Sequence, residues 1–115
     1  MKKTLLMATL LSTLSFAAYA GGDIQAGKDA AAKFNCASCH GENYSNPKEP
    51  AYPKLAGQHA DYLAQALRAY QRGGDAANGR SDPTMATQAK ALSNKDIQNI
   101  AAYLHSLPSN LVLKK

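Results

Sequence analysis

The sequence predicts an all-α domain of about four helices. Alanine is frequent throughout the 115-residue chain. Alanine has the highest helix propensity and β-branched residues favour strands, so the composition disfavours a sheet. Apolar residues also recur at steps of three and four, which is the period of an amphipathic helix. The β-branched residues beyond residue 20 are only Ile24, Thr84, Thr87, Ile97, Ile100 and Val112.

The first 20 residues have the layout of a cleaved secretory signal peptide. Lys2 and Lys3 precede an apolar run over residues 5–18, and the sequence Ala-Tyr-Ala over residues 18–20 places small residues at the cleavage position. The run is short for a membrane span, which takes about 20 apolar residues. An uncleaved N-terminal anchor is the alternative. We therefore expect export to the periplasm and one mature domain over residues 21–115.

The mature domain is small and only weakly basic. Removal of Lys2 and Lys3 leaves 11 basic and 8 acidic residues, a net charge of +3. The basic residues are scattered, whereas nucleic-acid binding needs a clustered positive face, so we expect no nucleic-acid partner. No other segment has the length of a membrane span, and we expect no stable membrane insertion. A domain this small buries little apolar surface, which suggests that another group completes its core.

Capping and stop signals mark the first two predicted helices. The first runs from about Asp23, a suitable N-cap, to Phe34. Prolines interrupt a loop over residues 41–57. The second helix begins near His59 and ends at two glycines, residues 73–74. Its predicted buried stripe consists of Leu63, Ala66, Leu67 and Tyr70.

Two more helices are predicted near the C-terminus. A short one begins at Pro83, with Asp82 as its cap. Before the last helix, Ser93 followed by Asp96 resembles a capping box. The helix is expected to end before Pro108, which cannot continue it. Its predicted apolar face consists of Ile97, Ile100, Ala101, Leu104 and Leu107.

Both cysteines of the chain lie in the segment NCASCHGEN, where Cys36 and Cys39 are followed directly by His40. A thioredoxin-like redox site would need a βαβ context. A zinc site completed by His59 or His105 would lack the usual second pair of closely spaced ligands. A structural disulfide would close a very short loop and add little stability.

Covalent haem is the interpretation that this spacing favours over those three alternatives. Two thiols about one helical turn apart can reach the two vinyl groups at one edge of a porphyrin. The adjacent His40 is then carried to the iron as the proximal ligand. Export agrees with this interpretation, and a large apolar disc would also complete the undersized core.

Met85 is the predicted second axial ligand of the iron. It is the one methionine of residues 21–115, and it follows a turn that contains Asp82 and Pro83. A thioether ligand opposite a histidine raises the reduction potential by favouring ferrous iron. The alternative is that Met85 fills the core, as most methionines do. The rival ligands are His59 and His105.

The chain resembles the class I c-type cytochromes. It is most similar to small soluble bacterial monohaem carriers and to the single halves of bacterial dihaem cytochromes. The matching segments, in order, are CASCHGEN, YPKLAGQHADYL, DPTM and AKALSNKDIQNIAAYLHSL. The resemblance covers about residues 23–107. It implies the cytochrome c fold, with the N- and C-terminal helices crossing and the helices arranged around one covalently attached haem c.

The resemblance also implies roles for particular residues. Gly27 would let the first and last helices approach closely, with Tyr103 or Ile100 packing over it. Ala31 departs from the family pattern, in which this position is often aromatic, and Phe34 would compensate. Pro53 matches the loop proline whose carbonyl accepts a hydrogen bond from the proximal histidine, here the Nδ1–H of His40.

Four tyrosines are candidates for lining the haem pocket or bonding a propionate: Tyr44, Tyr52, Tyr62 and Tyr70. Tyr52 is the one that we predict to contact the haem, although such tyrosines more often pack with the hydroxyl at the surface. Arg80 is expected to be a solvated loop arginine, with a propionate as its alternative partner. We also expect the polypeptide to leave a slot between His40 and Met85, lined by Leu55, Leu63 and Leu67.

These features predict a periplasmic monohaem c-type cytochrome that shuttles single electrons through a His/Met-ligated haem and is not itself an enzyme. Its partners would be an electron donor and an acceptor, such as a membrane oxidase or reductase, and it is expected to be a monomer. The first alternative is a haem c subunit of a larger oxidoreductase complex, for example a flavocytochrome. The second is a gas-binding haem sensor with a labile Met85.

Overall fold

The computed structural model describes residue 3 and residues 21–109. The predicted signal peptide over residues 1–20 therefore lies outside the described residues, apart from Lys3. Within residues 21–109 the chain forms five helices and no strand, which confirms the all-α prediction. The helices are α1 (Ile24–Lys33), α2 (Ala37–His40), α3 (Ala60–Arg72), α4 (Pro83–Lys90) and α5 (Asn94–Ser106).

Side-chain caps begin three of the helices at the predicted positions. The Asp23 carboxylate accepts the N–H of Ala26 at the start of α1, at 2.6 Å. Asp82 does the same for Met85 at the start of α4, at 2.8 Å. At α5, Ser93 and Asp96 form the predicted capping box, each side chain accepting the other residue's backbone N–H. Each cap satisfies an amide that has no partner within its helix.

The one-turn helix α2 is an addition to the four predicted segments. It follows α1 after a turn in which Asn35 has a φ of 55°. Asparagine tolerates this left-handed backbone region better than most residues. The turn places the two-cysteine segment directly against the end of α1, where the N–H of Cys36 donates to the carbonyl of Ala31 at 3.1 Å. A single turn is too short for an apolar period to reveal it.

Helices α1 and α5 pack against each other, as the resemblance implies. Gly27 is buried at this contact, and a Cβ there would overlap the carbonyl of Asn99 and lie 2.7 Å from the Cβ of Tyr103. This confirms the predicted close approach, with Tyr103 beside the glycine. Ala31 is buried in the core and Phe34 packs against it half-buried. The core cluster consists of Ala31, Tyr44, Ala56, Leu63, Ala64, Leu92, Ile97, Ile100, Ala101 and Leu104.

The buried face of α3 differs in part from the predicted stripe. Leu63 is buried as expected, but Ala64 and Ala69 are buried as well, while Leu67 and Tyr70 are half-buried. The reason is that α3 packs on two neighbours, α5 and α4, so its contacts spread over a wider arc than one stripe. No helix of the described residues is long and apolar enough to cross a membrane.

Candidate haem-binding site

The two cysteines lie one turn apart around the start of α2. Cys36 precedes the helix with helical backbone angles, and Cys39 lies within it. The N–H of His40 donates to the carbonyl of Cys36 at 3.1 Å, which closes the turn. Both thiols are free and half-buried. Burial raises the pKa of the Cys36 thiol above its ordinary value, with Cys39 adding to the effect.

His40 is the buried residue of α2, with 6% of its surface exposed. Its Nδ1 lies 3.0 Å from the carbonyl oxygen of Pro53. Because a carbonyl only accepts hydrogen bonds, this contact places the proton on Nδ1 and leaves the lone pair on Nε2. The hydrogen bond is the one that the resemblance predicts. A histidine held in this way is oriented to bind a metal through Nε2.

Backbone hydrogen bonds across the 41–57 loop hold Pro53 in place. The N–H of Lys48 donates to the carbonyl of Cys39 at 2.9 Å, which ties the loop to α2. The carbonyl of Tyr44 accepts from Leu55 at 2.8 Å and from Ala56 at 3.1 Å. These bonds fold the second half of the loop back over the first. They bring the Pro53 carbonyl to the histidine without any regular secondary structure.

Tyr44 anchors this loop in the core. It is only 3% exposed, and its ring meets that of Tyr103 edge-on, with 6.0 Å between the centroids. Its φ of 58° lies in the left-handed region that few non-glycine residues adopt. Burial, followed by the influence of Cys36 and Tyr103, raises the pKa of its hydroxyl from 10.0 to about 12. Tyr44 therefore packs as a neutral core residue beside the two-cysteine segment.

Among the four candidate tyrosines, Tyr52 is the one whose ring contacts His40. The two ring centroids are 6.4 Å apart, with the planes tilted by 51°. Tyr52 is 37% exposed, so it lies at the surface edge of the site. Tyr62 and Tyr70 instead flank Arg80. Whether Tyr52 contacts a haem remains a prediction.

Arg80, expected to be a solvated loop arginine, is partly exposed and also contacts two tyrosines. Its guanidinium lies over two rings of α3, with Cζ 5.6 Å from the Tyr62 centroid and 5.4 Å from the Tyr70 centroid. Nη2 also donates to the Tyr62 hydroxyl at 3.0 Å. The hydrogen bond to Tyr62, followed by that to Tyr70, raises the pKa of Arg80 above its ordinary value. The two tyrosines hold this side chain, a spatial contact that the sequence did not reveal.

Met85 lies in the first turn of α4 and is half-buried. Within the described part of the chain, it is not among the partly buried apolar side chains that pack against the core. The Asp82 cap fixes its backbone, and α4 packs on α3. The side chain of Gln71 donates to the carbonyls of Ala89 and Leu92, each at 2.9 Å, and ties the other end of α4 to α3. The ligand role of Met85 stays a prediction.

The rival ligands are both exposed. His59 is the N-cap of α3 and makes no capping hydrogen bond through its side chain. Nδ1 of His105 lies 2.8 Å from the carbonyl of Gln58. Over residues 21–109, no three or more His, Cys, Asp or Glu side chains group in a way that could hold a metal ion. Neither histidine therefore joins the cysteines in the four-ligand set of the zinc alternative.

Two cavities border the 41–57 loop. The larger, of about 670 Å³, is lined mainly by residues 45–54, including Tyr52 and Pro53. The smaller, of about 450 Å³, lies between residues 43–46 and 107–109. Neither has His40 or Met85 in its lining, so the slot between those residues stays a prediction. Leu55 and Leu67, two of its three predicted lining residues, are half-buried against the core.

The residues that the structure brings together fit a covalently held haem. Two free thiols lie one turn apart, and a buried imidazole beside them has Nδ1 engaged and Nε2 available. The comparisons with known proteins agree with this fit. A family model described as Cytochrome c matches residues 24–108. The chain belongs to the cytochrome c family.

Relatives of two kinds match this chain. The cytochrome c4 of Azotobacter vinelandii is 37% identical over 89 residues, which cover 77% of this chain and 40% of that relative. Cytochrome c-554(548) of Halomonas halodenitrificans is 39% identical over 85 residues, which cover 74% of this chain and 96% of that relative. The chain thus spans less than half of the first relative and nearly all of the second.

A solved structure gives the same result for the fold. The crystal structure of reduced recombinant cytochrome c4 from Pseudomonas stutzeri matches with a TM-score of 0.68 and 35% identity. The match covers 79% of this chain and 48% of that one. The fold is therefore the cytochrome c fold, in agreement with a class I c-type cytochrome. As a member of this family, the chain is an electron-transfer haem protein with covalently bound haem c.

Proposed function

We propose that this chain is a periplasmic monohaem cytochrome that carries single electrons between redox proteins. Cys36 and Cys39 attach the haem, and His40 and Met85 are its axial ligands. The observation that carries this proposal is the hydrogen bond from Nδ1 of His40 to the Pro53 carbonyl, next to two free thiols. It leaves Nε2 free on an imidazole that directly follows the second cysteine, which is what a covalent haem site needs.

Attachment uses the thiols of Cys36 and Cys39. When haem is bound, each S–H would add across one vinyl double bond, with the sulfur on one carbon and the hydrogen on the other. No oxidant is consumed, and each thiol becomes a thioether. The turn closed by the N–H of His40 on the Cys36 carbonyl sets the spacing between the two sulfur atoms. The same turn carries the imidazole, so attachment and ligation are geometrically linked.

The protein's own groups hold the two axial ligands in place. Pro53 fixes the orientation of the His40 ring and raises the basicity of Nε2. Asp82 holds the backbone at Met85, and Gln71 ties down the far end of α4. Tyr52 shields one edge of the imidazole from water. The haem, when bound, supplies a reversible one-electron couple.

Location and partners follow from the leader and from the relatives. The predicted signal peptide over residues 1–20 supports export to the periplasm. One relative is named thiosulfate dehydrogenase electron acceptor, from Stutzerimonas stutzeri, and is 34% identical over 74 residues. That name supports a dehydrogenase as the class of electron donor. We expect a monomer that docks briefly on donor and acceptor through small interfaces.

Two measurements on exported protein test this function. Intact-mass spectrometry should find the chain from residue 21 with the added mass of one haem. The oxidised protein should show the weak sulfur-to-iron charge-transfer absorption of a thioether ligand, and Met85→Ala should abolish it. A mature chain without added mass would overturn the haem site, and a Met85→Ala protein that keeps the band would remove Met85 from it.

Two further measurements distinguish a free carrier from the alternatives. Size-exclusion chromatography of periplasmic extract separates a monomer from a subunit of a larger oxidoreductase complex. Carbon monoxide added to the reduced protein should bind slowly or not at all if Met85 is a firm ligand. Fast binding would favour a gas sensor instead.

A further inference from the structure

Arg80 is held at both its side chain and its backbone by α3. Its guanidinium lies between the rings of Tyr62 and Tyr70, two turns apart on that helix, and donates to the Tyr62 hydroxyl at 3.0 Å. Ala66 lies midway between the two tyrosines along the helix. The N–H of Arg80 donates to the carbonyl of Ala69 at 3.0 Å. We call this arrangement the arginine clamp.

The loop before Arg80 is closed on the end of α3. Both Nε and Nη2 of Arg72 donate to the carbonyl of Asn78, at 3.3 and 2.8 Å. A Cβ at Gly79 would overlap the carbonyl of Gly73, so the two ends of the loop touch. The loop therefore returns to the helix that it left. Arg80 is the point at which the chain leaves α3 again, toward α4.

The path from Arg80 to Met85 is short and stiff. Only Ser81 separates Arg80 from Asp82, the cap whose carboxylate accepts the N–H of Met85. Asp82 precedes Pro83, which restricts its backbone to extended conformations. A displacement at Arg80 is therefore transmitted to the first turn of α4. The hydrogen bonds from Gln71 hold the other end of α4, so the helix cannot follow the displacement by moving as a whole.

We propose that Arg80 is a positioning residue for the Met85 thioether, because its clamp between Tyr62 and Tyr70 fixes the start of α4. The proposal rests on the proposed His/Met ligation. Two fixed points, Arg80 before α4 and Gln71 at its end, hold the helix against α3. Loss of the Arg80 side chain leaves the backbone hydrogen bond to the Ala69 carbonyl in place but removes the contacts with Tyr62 and Tyr70, so the start of α4 is held less firmly than before. The thioether then leaves its ligand position more often.

Imidazole is a probe for this release, because it binds the site only while Met85 is displaced. Its apparent affinity rises in proportion to the displaced fraction. We expect Arg80→Ala to tighten imidazole binding to the oxidised holoprotein about tenfold or more. Tyr62→Phe removes only the hydroxyl and should tighten imidazole binding less than Arg80→Ala does. Arg68→Ala is the matched control, because it removes one positive charge from α3 and leaves the arginine clamp intact. The affinity of the Arg68→Ala protein for imidazole should stay within about twofold of the wild-type value.

The charge-transfer band separates failure of the clamp from failure of the ligation. If the wild type shows the band but Arg80→Ala binds imidazole no more tightly than Arg68→Ala does, the clamp proposal is wrong and the ligation stands. If the wild type lacks the band, both proposals fall. If Arg80→Ala does not assemble with haem, the imidazole affinities of Arg80→Lys and Tyr62→Phe test the clamp proposal instead. Lysine keeps the charge but cannot span both rings, so unchanged affinity in both variants would overturn the clamp.

Discussion

The Oδ1 atom of Asn99 accepts the N–H of Asp23 at 2.9 Å, joining two residues 76 positions apart. The same residue's carbonyl lies against Gly27, where no side chain intervenes. Asn99 is buried although it is polar, and its hydrogen bond compensates for that burial. Asp23 is also the cap of α1. One side chain of α5 therefore fixes where α1 begins, and α1 leads directly into the two-cysteine segment.

Asn99→Ala should destabilise the protein by about 1 kcal/mol, because the part-buried hydrogen bond to the N–H of Asp23 is lost. The free energy of unfolding, measured by denaturant titration of the holoprotein, is the test. Asn94→Ala is the control, since Asn94 is exposed in the first turn of the same helix and its loss should change stability by less than about 0.5 kcal/mol. Equal effects of the two substitutions would show that the long-range bond contributes nothing.

Gly27→Ala should be more damaging than a typical glycine substitution in a helix. Alanine favours the helix by about 1 kcal/mol, but its Cβ would overlap the main chain of Asn99 and approach Tyr103. Backbone cannot move aside as a flexible side chain does, and we expect a net loss of about 3 kcal/mol. Gly21→Ala, where a Cβ meets nothing within 4 Å, should leave the unfolding midpoint unchanged. A stabilised Gly27→Ala protein would contradict the close helix crossing.

Pro53→Ala should raise the midpoint reduction potential. Alanine keeps the carbonyl that accepts from His40, but it releases the fixed φ of proline and loosens the loop. A less firmly held imidazole is a weaker donor to iron, which favours the reduced form. Equilibrium redox titration measures the shift. Pro50→Ala changes another proline of the same loop and is the control. An equally large shift of the reduction potential in Pro50→Ala would mean that greater flexibility of the loop as a whole, rather than the hold on His40, changes the potential.

Met85→Ala should lower the reduction potential and remove the charge-transfer band, because the thioether that favours ferrous iron is lost. Thr84→Ala is the control, because Thr84 is the exposed neighbour of Met85 in the same turn. It should leave the charge-transfer band and the reduction potential unchanged. A wild-type protein without the band would direct the search for the sixth ligand to His59 and His105, neither of which has a sulfur atom.

The locally encoded features of the fold were predictable from the sequence. Asp23, Asp82, and Ser93 with Asp96 cap their helices through contacts within three residues, and such contacts are visible in the chain itself. The spacing of Cys36, Cys39 and His40 likewise lies within one turn. The bond between His40 and Pro53 spans 13 residues of irregular loop, and only the family resemblance suggested it.

Other contacts between distant segments were missed because neither a local pattern nor the family resemblance indicates them. Nothing in the sequence around Arg80 shows that it fits between Tyr62 and Tyr70, since the pairing depends on a loop returning to α3. The burial of Tyr44 was also hidden, because its polar neighbours in the 41–57 loop resemble solvated turn residues. The width of the buried face of α3 depends on two packing partners, which a single helical stripe cannot indicate.

Stability should fall as the pH rises from about 10 to about 12, because Tyr44 ionises later in the folded protein than in the unfolded chain. Burial holds its pKa near 12, whereas the unfolded value is 10.0. Above the lower value the unfolded chain loses a proton that the folded protein keeps, so unfolding becomes progressively more favourable. Denaturant titrations across this pH range should show the decline in the wild type and a weaker decline in Tyr44→Phe. Tyr52→Phe, which changes an exposed ring in the same loop, should retain the full decline, and identical profiles for all three proteins would mean that the Tyr44 hydroxyl is not held neutral by burial.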